Sequence, residues 1–128
     1  MDGRSRTIGK VFLGIYFAVI LYLCLGSFQG VSGLWKTLWG IQLDKVVHFL
    51  MYLPFPALAL WAFYDGKHFG RTLLLILLAG FLFGAGIEVM QALLTDARSA
   101  EWGDLGANTL GLLLSVAVIS VIHKCIQR

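Results

Sequence analysis

Four runs of mostly apolar residues, each long enough to cross about 30 Å of hydrocarbon as a helix, constrain this 128-residue chain more than any motif within it. They extend roughly from Val11 to Phe28, Asp44 to Tyr64, Arg71 to Leu94 and Gly103 to Ile122. The connections between them, Gln29 to Leu43, Asp65 to Gly70 and Thr95 to Trp102, are too short to form a soluble domain. With 59% hydrophobic and 13% charged residues, and a mean hydropathy of +0.82, the chain has more apolar surface than an interior of its own could hide. The bilayer must serve as solvent. The expected architecture is an all-α membrane protein, one domain over residues 1–128 built as a bundle of four transmembrane helices.

Basic residues set the expected orientation. Of the ten, Arg4, Arg6, Lys10, Lys67, Arg71, Lys124 and Arg128 fall on one side of a four-span chain, and Lys36, Lys45 and Arg98 on the other. Positive-inside counting then puts both termini in the cytoplasm. The net charge of +3 follows from that bias and calls for no nucleic-acid partner. The basic start resembles a signal peptide, but no A-x-A-like site or lipobox follows the first run, so it is expected to remain as a span. Cys24 and Cys125 lie near opposite faces, too far apart for a disulfide, and neither belongs to a metal-binding pattern. Trp35 and Trp39 suit an interfacial segment on the outer side, with Trp102 completing an aromatic belt.

The polar residues that interrupt the apolar runs are ordered. Asp44, His48 and Tyr52 follow an i, i+4, i+8 spacing and share one helix face, with Lys45 beside them. Glu88 and Gln91 share a face of the third span, continuous with Gly80 and Gly84. Asp104, Asn108, Gly111 and Ser115 form the corresponding stripe on the fourth. At 1.5 Å per residue His48 lies about 6 Å below Asp44, Asn108 about 8 Å below Gly103 and Glu88 about 10 Å below Thr95. Three separate spans thus deliver polar groups to one level, beneath the side that holds the first and third loops.

Facing lipid, each charge would cost a few kcal/mol. Facing one another, the groups can pair around an outward-open pocket roofed by the loops that carry Trp35, Trp39 and Arg98. Burial should raise the pKa of Glu88 unless Lys45, His48 or Arg98 compensates. Asp44 or Asp104 could orient the His48 ring, Gln91 and Asn108 could bridge charged members, and Arg98 offers a planar fork for a phosphate or carboxylate. The alternative is that the network simply glues the helices together. Pro54 and Pro56 interrupt the second span, freeing the carbonyls of Leu50 and Tyr52. A kink is the simpler expectation, and a broken helix whose carbonyls line a polar cavity is the other.

These segments resemble the VanZ-like family of small bacterial membrane proteins. The resemblance rests on Asp44-Lys45-x-x-His48-Phe49-x-x-Tyr52, Glu88-x-x-Gln91, Arg98-Ser99 and Asp104-x-x-x-Asn108-x-x-Gly111, in that order, and covers about Asp44 to Ser115. It departs from the family at Pro54, Pro56 and Trp102. It implies a multi-pass protein of the bacterial cytoplasmic membrane with a role in the cell envelope, since the name-giving member is associated with resistance to the glycopeptide teicoplanin.

Three functions are compatible with this pattern. In the first, the pocket binds a lipid headgroup, a lipid-linked envelope precursor or a lipoglycopeptide through Asp44, Lys45, His48, Tyr52, Glu88, Gln91, Arg98, Asp104 and Asn108. In the second, His48 and Glu88 are an acid/base pair acting on a lipid-linked substrate, with Arg98 as anion clamp. A divalent metal on Asp44, His48, Glu88 and Asp104 is a weaker version, because no recognised metal or nucleophile motif is present, and no cofactor is called for. The third, transport, is disfavoured because the polar stripes fade toward the other side of the membrane. A monomer is too small for a channel, and only an oligomer could build one.

Overall fold

The computed structural model describes residues 2–25, 37–38, 41–94 and 102–128. Helix α1 spans Gly3–Leu25, and a two-residue antiparallel ladder follows, β1 (Thr37–Leu38) with β2 (Ile41–Gln42). Then come α2 (Leu43–Tyr52), α3 (Phe55–Phe63), α4 (Phe69–Leu94) and α5 (Trp102–Gln127). Among the described residues four stretches are long and apolar enough to cross a membrane: Gly3–Tyr22, Val46–Phe63, Phe69–Met90 and Leu105–Gln127. The helical architecture is the expected one. The short ladder in the first connection is an addition to it, and Trp35 and Trp39 lie outside the described residues.

Helix limits differ from the apolar runs for local reasons. α1 begins well before Val11 because Asp2 caps it, its Oδ1 accepting from the Ser5 N–H at 2.8 Å. Its first turns thereby carry Arg4, Arg6 and Lys10 in helical conformation. α5 continues past Ile122 to Gln127, where Lys124 in the last turn suits the negative end of the helix dipole. A tight connection with Gly66 at φ 90° and His68 at φ 54° joins α3 to α4.

The expected kink at the prolines is a full break. Helix α2 stops at Tyr52, Leu53 and Pro54 form a turn, and α3 starts at Phe55 with Pro56 in its first turn. Neither proline has an N–H to donate, so two of the bonds that would carry the ladder across the turn are missing. The carbonyl picked up at the break is that of Met51, which accepts the Tyr16 hydroxyl from α1. The Pro54 carbonyl accepts from Leu58 N–H at 3.1 Å and opens the second helix.

Apolar side chains point both ways. Inside, Leu13, Tyr52, Phe55, Ala59, Ala62, Ile76 and Leu112 form the main core, with Phe17 lying 4.7 Å from Phe83 and 5.7 Å from Phe55 between ring centroids. Outside, α1, α4 and α5 display leucine, valine and isoleucine, among them Val19, Leu82, Leu93 and Val121. Such an exterior suits lipid, where close packing rather than hydrophobicity holds helices together. Among the described glycines the tightest approach is between α2 and α5, where a Cβ on Gly111 would lie 2.5 Å from the Phe49 carbonyl oxygen. Only glycine permits that approach.

Candidate functional site

The α2–α5 contact sets the site. With Phe49 pressed on Gly111, the neighbouring face of α2 turns His48 and Tyr52, one helical turn apart, toward α5 and α4. Both are buried, at 4% and 1% exposure. α5 answers with Asn108, 1% exposed, and Leu112 one turn and Ser115 two turns further on are buried as well. α4 contributes Gly84 and, one turn along, Glu88, which is 5% exposed.

Two contacts tie these residues together. His48 Nδ1 lies 3.0 Å from Asn108 Oδ1, a buried bond between residues of different helices. With the amide oxygen facing the ring, Nδ1 carries the hydrogen, and Asn108 holds that tautomer. Gly84 is the second junction. A Cβ there would lie 3.3 Å from Asn108 Nδ2 and 3.5 Å from the Tyr52 hydroxyl. One polar cluster therefore spans the three motif helices.

Its depth matches the spacing argument. His48 is five residues into α2, Asn108 six into α5, and Glu88 six before the end of α4, placing each about 8–9 Å from its helix end. The remaining expected members are placed only by position. Asp44 and Lys45 lie in the first turn of α2, Gln91 near the end of α4 and Asp104 in the first turn of α5, all toward the end that holds the longer loops. Arg98 and Thr95 lie outside the described residues. Asp44 and Asp104 are the expected orienting partners of His48, and their side chains lie outside what the structure describes; the bond it does describe is to Asn108.

The sequence reading left α1 out of the site, and one residue there qualifies. Tyr16 is half-buried in the middle of α1, and its hydroxyl bonds the Met51 carbonyl next to Tyr52. A polar hydroxyl in the centre of an apolar run was the available signal.

The end of the bundle that carries both termini is built differently. Trp61 Nε1 donates to Ser5 Oγ at 3.0 Å, Arg6 Nη2 to the Phe63 carbonyl at 3.4 Å, and Lys10 stands 5.5 Å from the Phe63 ring centroid. Phe69 stacks on His123 with centroids 3.6 Å apart. Asp65 Oδ1 accepts from Lys67 N–H at 3.0 Å, which holds its carboxyl below the usual carboxylate value, with the Lys67 and Arg6 charges adding to the effect.

Comparison with known proteins matches the sequence to a family. A family model described as VanZ/LLP1 matches residues 3–123. An uncharacterized protein of the fission yeast Schizosaccharomyces pombe is 35% identical over 81 residues, which is 63% of this chain and 49% of the relative. The chain thus spans about half the length of the curated relative it matches. No solved structure matches.

Proposed function

The chain belongs to the VanZ/LLP1 family, and on that premise we propose that its polar cluster binds the headgroup region of a membrane amphiphile entering from the end with the longer loops. The observation that carries this reading is the burial of His48, Glu88 and Asn108 on three different helices at one depth. Single hydrogen bonds between membrane helices average well under about 1 kcal/mol, so gluing the bundle is a weak reason to keep an imidazole, a carboxyl and an amide there. A ligand supplies a stronger one. Lys45 and Arg98, read from the sequence, suit its anionic group.

A relative in a fission yeast favours a lipid common to both kinds of membrane over a precursor particular to the bacterial envelope. Lowered teicoplanin susceptibility, in a bacterial host, would then be a consequence of lipid binding. The Asn108–His48 bond also orients the imidazole as a general base is oriented, and this favours, as the second reading, an enzyme with His48 and Glu88 as acid/base pair on a lipid-linked substrate.

Titration of dioctanoyl phosphatidylglycerol into the purified chain in detergent tests the first reading. Wild type should bind, and Arg98→Gln should weaken binding about tenfold with unchanged helical circular dichroism. Absence of binding by wild type, or equal binding by the variant, defeats the headgroup reading. Turnover of the bound lipid that is lost in Glu88→Gln while binding persists would select the enzyme.

A further inference from the structure

Charge at the end that carries the termini is one-sided. Arg4, Arg6, Lys10, Lys67, Arg71, Lys124 and Arg128 stand against two acidic side chains, Asp2 and Asp65. Both acids serve the backbone, Asp2 accepting from the Ser5 N–H and Asp65 from the Lys67 N–H. Some of the basic groups serve it too. Arg6 Nη2 donates to the Phe63 carbonyl where α3 ends, and Lys124 lies in the last turn of α5. Lys10 completes no helix.

Lys10 stands about 10 Å inside the start of α1 and is exposed. The surface around it is open and apolar. Val11 beside it is 57% exposed, and a Cβ on Gly14, one turn deeper, would meet nothing within 4 Å. Its Nζ lies 5.5 Å from the centroid of the Phe63 ring, itself 55% exposed at the end of α3. The long side chain thus carries its charge back toward the end of the bundle. Among the described residues no carboxylate meets that ammonium. A cation on a lipid-facing surface without a protein counter-ion is costly unless the bilayer supplies one.

The surroundings suit a phosphate. Arg6, one turn before Lys10 on the same face of α1, adds a second positive charge. Trp61 borders the same seam, bonded to Ser5 Oγ at 3.0 Å and stacked on Phe12 at 5.6 Å, as an indole at headgroup level does. A choline or ethanolamine group would bring a further cation to an end already rich in positive charge, and a glycerol headgroup brings none.

Separately from the polar cluster at the other end, we propose that Lys10 and Arg6, at the seam of α1 and α3, hold the phosphate of an anionic phospholipid in the leaflet at the end that carries the termini. The site is an exposed surface and needs no cavity.

Trp61 provides a local test. With Trp35→Phe, Trp39→Phe and Trp102→Phe it is the sole tryptophan of the chain. That chain is reconstituted in phosphatidylcholine vesicles containing brominated phosphatidylglycerol or brominated phosphatidylcholine at equal mole fraction. Quenching should reveal a preference for the anionic lipid of about fivefold, the scale of one cationic side chain near an anionic surface. Lys10→Gln should bring the preference close to one, and Lys10→Arg should keep it. Lys124→Gln, an exposed lysine of the same end on α5, should leave it unchanged. Equal quenching by the two lipids before any change at Lys10 overturns the site. A preference that survives Lys10→Gln, or that Lys124→Gln lowers as much, also overturns it, the second result meaning diffuse attraction only. Where the three replacements cost helical circular dichroism, the native chain and its Trp61→Phe variant are compared, and the difference signal is that of Trp61.

Discussion

Two side-chain hydrogen bonds of equal length, 3.0 Å, join distant parts of this chain, and they belong to different kinds of structure. Trp61 to Ser5 is part-buried at the end that carries the termini, whereas His48 to Asn108 is buried at the junction of α2 and α5. Around the first bond, polar groups finish helices: Asp2 caps α1, Arg6 takes the Phe63 carbonyl where α3 ends, and Asp65 holds the turn before α4. Around the second there is no helix end to finish. Polar groups that complete backbone ends are explained by the fold, and those sunk two turns inside it need another reason. That contrast is what singles out the cluster as a site.

The largest expected effect tests the frame on which the cluster depends. Gly111→Ala would bring a methyl group against the Phe49 carbonyl, and neither backbone can yield without separating α2 from α5. Overpacking there should cost about 3 kcal/mol, only partly offset by about 1 kcal/mol of better helix propensity. Thermal unfolding in detergent should show a large drop or loss of the folded state. A wild-type melt would mean that the two helices do not meet as closely as Gly111 requires.

The next prediction sharpens the comparison itself. Asn108→Leu removes the acceptor of a buried imidazole N–H and should cost about 2 kcal/mol, because no water replaces it. Ser5→Ala removes a bond of the same length where solvent or headgroups can satisfy Trp61, and should cost about 0.5 kcal/mol. Melting curves of the two variants side by side decide the matter. Equal losses would erase the distinction between the two ends.

Much of this was legible because membrane helices advertise themselves. Length and apolar content gave the four spans, and i, i+4 spacing put His48 and Tyr52 on one face before any coordinates. Register between helices is another matter. Nothing in the spacing indicates that Asn108 meets the His48 ring, because that depends on Phe49 seating over Gly111. The proline break was visible as an interruption, but the carbonyl taken up there is that of Met51, by Tyr16 on a different helix, rather than those of Leu50 and Tyr52 that the proline positions single out. The early start of α1 turned on a single cap, Asp2, lying outside the apolar pattern altogether.

The smallest expected effect lies at the end that carries the termini and concerns pH. Asp65 is exposed, and its carboxyl is held below the ordinary value of 3.8 mainly by the Lys67 N–H, with the Lys67 and Arg6 charges assisting. A carboxyl whose folded pKa is depressed stabilises the fold above its unfolded value and loses that contribution as pH falls through the folded one. Asp65→Asn keeps an oxygen for the Lys67 N–H but has no proton to take up. Its melting temperature should therefore fall slightly less than that of wild type between about pH 6 and about pH 3. Because the group is exposed, added salt should shrink the part of the difference due to Lys67 and Arg6 and leave the part due to the backbone bond. Parallel acid melts of the two chains would show that the charge on Asp65 does not hold the turn before α4, and the contrast with the buried junction would be sharper by that one group.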